Sequence, residues 1–234
     1  MEKRGVSNIE MVLAFLIFIG AVLFTVYFLN NQINKGGKSE SLDYIYNKIS
    51  EVGSEKVETY SIKLNNQNLN IMGIDLDRDL SFDEGVSAFT LSGSKIPISL
   101  SGNIIYLDVN SADNFLIIRI SKDISSNYTL FNSLPQVNTS NYEIASRTQN
   151  NLMSEKKIEE IKGTYERDYN KLKTDLGIGR DLNFGMNVVF SSFDFINLGK
   201  EASKQAEIFS NKKRIEIIRK DGNSVFADVQ IKVW

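Results

Sequence analysis

One run near the start of the chain, from Met11 to Leu29, contains no charged side chain. As a helix it would rise about 29 Å at about 1.5 Å per residue, which matches a bilayer core of about 30 Å. A helix also satisfies its own backbone groups in lipid. The run therefore predicts a retained transmembrane helix. Its representative residues are Met11, Leu13, Phe15, Phe18, Gly20, Phe24, Tyr27 and Leu29.

Two other interpretations of this apolar run fit it less well. A cleaved secretory signal has an apolar region of about 7–15 residues that ends in a small-residue cleavage site, whereas Asn30 and Asn31 follow this longer run. A buried core helix of ordinary type carries a polar stripe, and this run has none.

Because Lys3 and Arg4 precede the run, the positive-inside rule predicts a cytoplasmic N-terminus and an extracellular C-terminal domain.

The composition of the 234 residues excludes several function classes. Cysteine and histidine are both absent, so the chain has no disulfide, no thiolate nucleophile and no histidine base or ligand. The formal net charge is −2, and no basic stripe suggests a nucleic-acid partner. We therefore predict a non-enzyme without a cofactor or a metal.

A carboxylate, Glu10, lies directly against the apolar run on its inner side. A lone charge at that depth is costly unless it is paired or kept at the interface. Counting from Val6, which follows Arg4-Gly5, Glu10 is the fifth residue. A basic residue with glycine, a glutamate at position five and a long apolar helix together resemble the type IV prepilin signature. The Arg-Gly pair resembles an archaeal class III signal peptide in particular.

This resemblance covers residues 3–29 and implies processing and assembly. A prepilin peptidase would cut between Gly5 and Val6, and the helix would first anchor the subunit and then pack in a filament core. Glu10 would pair with the new amine of Val6 in a neighbouring pilin-like subunit, since two unpaired buried charges are each costly. Ser7-Asn8 is more polar than the usual bacterial start, and Val6 differs from the glutamine that begins many archaeal pilins.

The rest of the chain predicts an α+β fold, with a mainly antiparallel sheet and a packed amphipathic helix. We divide the chain into a leader (1–5), an anchor and assembly helix (6–35), a short helix and linker (36–54) and an extracytoplasmic domain (55–234). Gly36-Gly37 indicates a helix stop or bend. Leu42, Ile45, Tyr46 and Ile49 share one face of a short helix over 41–52.

Alternating residues predict strands over 57–64, 68–74, 86–91, 103–109, 115–121 and 184–191, with a loop over 122–142. Ser154 is expected to cap a helix that runs to Leu176 and is ended by Gly177 and Gly179. Asp221-Gly222 is a hairpin signal, and it precedes the strict alternation of 225–233. Asp75–Glu84 is rich in carboxylates but fails the EF-hand pattern, which leaves a different calcium site open.

The predicted function is a pilin-like or pseudopilin-like structural subunit of a surface filament or of a secretion or adhesion apparatus. Its domain of about 200 residues is large for a subunit that packs at every filament step, which favours a low-copy role. The main alternative is a membrane-tethered module that binds a sugar, a peptide or a surface-layer partner. A surface hydrolase that uses carboxylates is a third hypothesis. Two glycosylation sequons, at Asn127 and Asn138, agree with an external location.

Overall fold

The computed structural model describes residues 3–65, 69–110, 114–199, 202 and 205–234, and it describes the side chains of the first helix at 12–26 and from 40 onward. Helix α1 runs from Lys3 to Gly53. It continues through Gly36 and Gly37, so the predicted stop there does not occur. Each glycine costs a helix about 1 kcal/mol relative to alanine, which long flanking helical segments tolerate.

The remaining elements follow in chain order. They are β1 (Ser54–Leu64), β2 (Ile71–Asp75), β3 (Gly85–Thr90), β4 (Lys95–Ile96), β5 (Ile98–Ser101), β6 (Ile104–Asp108), β7 (Phe115–Ser121), a 3-10 turn (Thr139–Asn141), β8 (Tyr142–Ser154), α2 (Glu155–Arg167), α3 (Tyr169–Asp175), β9 (Phe184–Ser191), β10 (Asp194–Leu198), β11 (Phe209–Ile218) and β12 (Ser224–Val233). The chain is thus α+β and consists mostly of β-sheet.

Within the described residues, the strands form two sheets. The larger has nine strands in the order β10-β9-β12-β11-β8-β1-β7-β3-β4, and the smaller has the order β2-β6-β5. Neighbouring strands are antiparallel except β11 and β8, which share only the parallel pairs Ile217–Met153 and Ile218–Ser154. The larger sheet therefore opens between β8 and β11 and divides the molecule into two lobes.

Each lobe has its own hydrophobic core. In the helix lobe, α2, α3 and the C-terminal part of α1 pack on β9–β12. In the sandwich lobe, strands β1, β3 and β7 pack on the three-stranded sheet. A small third cluster of Val57, Ile124 and Ile218 lies between them. Each core covers a different part of the nine-stranded sheet, which would otherwise be exposed on both faces.

Several local predictions are confirmed by the structure. The Ser154 hydroxyl accepts a hydrogen bond from the Lys157 backbone N–H and caps α2. Gly177, at φ +67°, follows the last helix, where an αL residue commonly ends helices. Gly222, at φ +86°, lies in the turn between β11 and β12. The predicted single helix over 154–176 is instead two helices, because Asp168 ends α2 and caps α3.

The predicted transmembrane helix over Met11–Leu29 is not supported. Among the described residues, no helix is long and apolar enough to cross a membrane. The same finding contradicts the predicted single-pass localisation, in which the N-terminus was cytoplasmic and the C-terminal domain extracellular.

Candidate assembly surface

The N-terminal part of α1 exposes large apolar side chains on every side of the helix. Val12, Leu13, Phe15, Leu16, Ile17, Phe18, Ile19, Val22, Leu23, Phe24 and Val26 are all between 38 % and 69 % exposed. A Cβ added at Gly20 would meet no atom within 4 Å. Because contiguous exposed apolar surface of this kind marks interaction sites, we name Val12–Val26 the apolar segment and treat it as the candidate site.

The C-terminal part of the same helix is buried. Leu42, Ile45, Tyr46 and Ile49 are at most 8 % exposed and pack in the core of the helix lobe. The Lys213 ammonium lies 3.9 Å from the centre of the Tyr46 ring, which adds a cation–π contact from β11. The helix is therefore fixed to the sheet at one end and presents the apolar segment at the other.

The residues that the sequence predicted for the membrane helix, the processing site and assembly fall into two groups, according to whether the structure describes their side chains. Leu13, Phe15, Phe18, Gly20 and Phe24 belong to the apolar segment. The remaining residues are helical in backbone, but their side chains lie outside the described ones, so the predicted cut and the predicted charge pair stay predictions. These residues are Arg4, Gly5, Val6, Glu10, Met11, Tyr27 and Leu29.

Both sequon asparagines are exposed. Asn127 precedes Tyr128, which bridges to Ile98 at the edge of the smaller sheet. Asn138 caps the 3-10 turn, where its Oδ1 accepts hydrogen bonds from the backbone N–H and the hydroxyl of Ser140. Since a glycan is attached through the side-chain nitrogen, this capping leaves that atom open, and glycosylation at the two positions remains a prediction.

A buried ion-pair cluster around Glu58 was not predicted from the sequence. Its carboxylate accepts hydrogen bonds from Arg78 Nη1 at 2.8 Å, Tyr60 Oη at 3.0 Å and Arg147 Nη2 at 3.1 Å, and Lys56 Nζ lies at 3.2 Å. Burial alone would raise the pKa of Glu58, but these donors and the charge of Arg78 outweigh burial and lower the pKa to about 2. The cluster joins β1, β8 and the loop after β2, so we assign it a structural role.

The carboxylates of Asp75–Glu84 are turned towards separate partners. Asp75 Oδ1 accepts from the Asp77 backbone N–H at 2.9 Å, Asp79 Oδ1 accepts from Asn103 Nδ2 at 2.6 Å, and Asp83 Oδ2 lies 2.6 Å from Lys122 Nζ. Glu84 pairs with Arg78. In the ranges that the structure covers, no group of three or more acidic side chains could hold a metal ion.

The hairpin turn between β11 and β12 connects the two lobes. The Ser87 hydroxyl of β3 donates to the Asp221 carbonyl oxygen at 2.8 Å, and Arg119 Nη1 of β7 donates to the Gly222 carbonyl oxygen at 3.1 Å. Arg219 pairs with Glu155 at 3.0 Å and with Asp194 at 2.6 Å. The Ser87 and Arg119 contacts join the two lobes at this turn, whereas the Arg219 pairs lie within the helix lobe.

Comparison with known proteins adds no relative, because no family model, no curated protein and no solved structure matches this chain.

Proposed function

We propose that this chain is a pilin-like structural subunit, processed by a prepilin peptidase between Gly5 and Val6 and assembled with other pilin-like subunits through α1. One observation carries the proposal: the same continuous helix is buried on a sheet from Leu42 to Ile49 and exposes apolar side chains all round from Val12 to Val26. Helices that are apolar on every side are stable when they are surrounded, and the first helices of neighbouring subunits would surround this one.

The sequence around the start of α1 supports the same proposal. Arg4-Gly5 stands before the apolar segment, and Glu10 stands at the fifth position after the expected cut. Cleavage would create an ammonium on Val6, and Glu10 of a neighbouring chain would neutralise it inside the helical bundle. Because each buried charge is costly alone, the pair would set the axial stagger between subunits. The large two-lobed head favours a low-copy position in the filament.

Processing is tested by the intact mass of the protein from cells with and without an active prepilin peptidase. We expect a chain that begins at Val6 only where the peptidase is active. A Gly5→Val variant, which removes the residue before the expected cut, should keep its leader in both cells. A chain that begins at Met1 or Glu2 in cells with the peptidase would contradict this part of the proposal.

Assembly is tested by Glu10→Gln, which removes the charge and keeps the shape of the side chain. We expect the variant to be cleaved normally but lost from sheared filaments, because a neighbouring ammonium would remain unpaired. Incorporation is measured as the fraction of the chain that sediments with filaments. Glu40→Gln is the matched control, since Glu40 is exposed on the same helix and should incorporate normally. Equal incorporation of the two variants would contradict the role in assembly that we propose for Glu10.

A further inference from the structure

One edge of β8 has no partner, although β8 lies in the middle of the larger sheet. On one side β8 pairs with β1 along its length, whereas on the other side it pairs with β11 only at Met153 and Ser154. Among the described residues, 143–152 therefore have no strand beside them on that side. Residues 143–151 are exposed, so a row of backbone N–H and C=O groups about 30 Å long faces solvent, at about 3.3 Å per residue.

Proteins protect open strand edges against pairing with other chains, commonly by short strands, lysine or proline. The strands at the ends of the two sheets are short, since β4 has 2 residues, β5 has 4, and β2 and β10 have 5 each. The free edge of β11 is longer but carries Lys212, Lys213 and Arg214. Residues 143–152 of β8 include neither lysine nor proline. In the part of the chain that the structure describes, this is the long edge without such protection.

The two charged side chains on this stretch are already neutralised within the chain. Arg147 Nη2 lies 3.1 Å from the Glu58 carboxylate, and Glu143 Oε2 lies 3.7 Å from Lys63 Nζ. Residues 148–152 carry no charge. Because like charges directly opposite one another destabilise a strand pair, this stretch does not repel a second copy of itself, whereas the basic run of β11 would.

The regular part of the free edge has defined ends. Ala145 has no partner in β1 and forms a β-bulge, and the pairing with β11 begins at Met153. Residues 146–152 therefore form an uninterrupted free edge with Gln149 at its midpoint. Since a bulge disrupts regular pairing, these two features mark where a further strand would begin and end.

We propose that two copies of this chain pair antiparallel through residues 146–152 of β8 and form one continuous sheet. Two identical edges fit about a twofold axis, because each copy presents to the other the same row of donors and acceptors in reverse. Such a pair closes on itself and does not propagate. The pairing goes beyond the assembly function, since it joins the heads and uses no residue of the apolar segment.

The side chains favour a twofold axis at Gln149. In that register Thr148 lies opposite Asn150 of the second copy and Arg147 lies opposite Asn151, so hydrogen-bonding groups meet and no like charges face each other. The two Gln149 amides meet at the axis, where each has a donor and an acceptor for the other. A register centred on Arg147 would instead set two guanidinium groups opposite each other.

The register is tested with single cysteines, because the native chain has none. Directly opposite residues of an antiparallel pair have Cα atoms about 4.5–5.5 Å apart, within the range of about 4.4–6.8 Å that a disulfide spans. The full chain in a mild detergent is oxidised gently, and the disulfide-linked dimer is measured on a non-reducing gel. We expect Gln149→Cys to give at least about tenfold more dimer than Asn151→Cys, because the two Asn151 positions would lie about 13 Å apart along the strands at about 3.3 Å per residue. Equal yields for the two variants, or no dimer with Gln149→Cys, would overturn the pairing.

The native chain, without cysteine, is tested by sedimentation velocity over a range of concentrations. Gln149→Lys sets two ammonium groups opposite each other and should abolish the concentration-dependent dimer. Asn170→Lys, at an exposed position of α3, is the matched control and should dimerise as the native chain does. Association through the apolar segment would be the same in all three proteins, so it is distinguished from edge pairing. Equal self-association of the native and Gln149→Lys chains would overturn the proposal.

Discussion

Gly85→Ala is expected to lower the free energy of unfolding by about 3 kcal/mol, because packing an extra methyl into a filled site costs about 1–3 kcal/mol and occasionally more. A Cβ on Gly85 would lie 1.9 Å from the carbonyl oxygen of Ile124 and 2.7 Å from its carbonyl carbon. Backbone atoms cannot rotate away as a flexible side chain does. The melting temperature should therefore fall by about 6–12 °C for a chain of this size.

The damage should reach beyond β3. Ile124 is 5 % exposed and packs with Val57 and Ile218 between the lobes, so a displaced Ile124 loosens that cluster too. Gly163→Ala is the matched control, since a Cβ there meets no atom within 4 Å and Gly163 lies inside α2. It should stabilise the protein by about 0.5–1 kcal/mol. Similar melting temperatures for the two variants would contradict the close approach at Gly85.

Glu58→Gln is expected to remove much of the acid sensitivity of the protein. The pKa of Glu58 is about 2 in the folded chain, compared with an ordinary value of 4.5. A lowered pKa means that the carboxylate stabilises the fold above about pH 4.5 and that this contribution is lost as the pH falls towards 2. The full shift corresponds to about 3 kcal/mol at about 1.4 kcal/mol per unit. We expect about 2 kcal/mol, because Lys56 and Arg147 are half exposed and screened by solvent.

The measurement is urea unfolding of both proteins at several values between pH 7 and pH 2. The native chain should be more stable than the variant by about 2 kcal/mol at pH 7, and the difference should vanish towards pH 2. Glu143→Gln serves as the control, since Glu143 is 61 % exposed and lies 3.7 Å from Lys63. It should change stability by less than about 1 kcal/mol. A constant difference between the native and Glu58→Gln proteins at every pH would rule out the lowered pKa.

The sequence predicted those elements whose side chains are sorted between a core and solvent. The strand after Asp221-Gly222 could be recognised because Ala227, Val229, Ile231 and Val233 are buried in alternation with more exposed residues. Strand β8 could not, because residues 143–151 are exposed on both faces and so carry no alternating pattern. The sequence did not indicate that Asp168 divides the predicted helix, since the helical spacing of apolar residues continues from α2 into α3 across the break.

The candidate site could be predicted from the sequence only in part. The apolar segment is contiguous and needs no knowledge of the fold. Glu58, Arg78 and Arg147 come from distant parts of the chain, and no local pattern brings them together. Asn187 and Trp234 line one depression only because β9 pairs with β12. Long-range strand register therefore creates the features that sequence reasoning missed, whereas the membrane prediction depended on the length of one apolar run and is not supported.

The order of elements in the helix lobe has a consequence for synthesis on the ribosome. The Leu42–Ile49 stripe of α1 is covered by β9–β12, and the last of these strands ends at Val233, so about 180 residues are made between the stripe and its cover. At about 5–20 residues per second this takes roughly 10–40 seconds. The sandwich lobe is complete long before then. Helices α2 and α3 share this core and are made earlier, so the part of the stripe that the strands cover is the last to be buried.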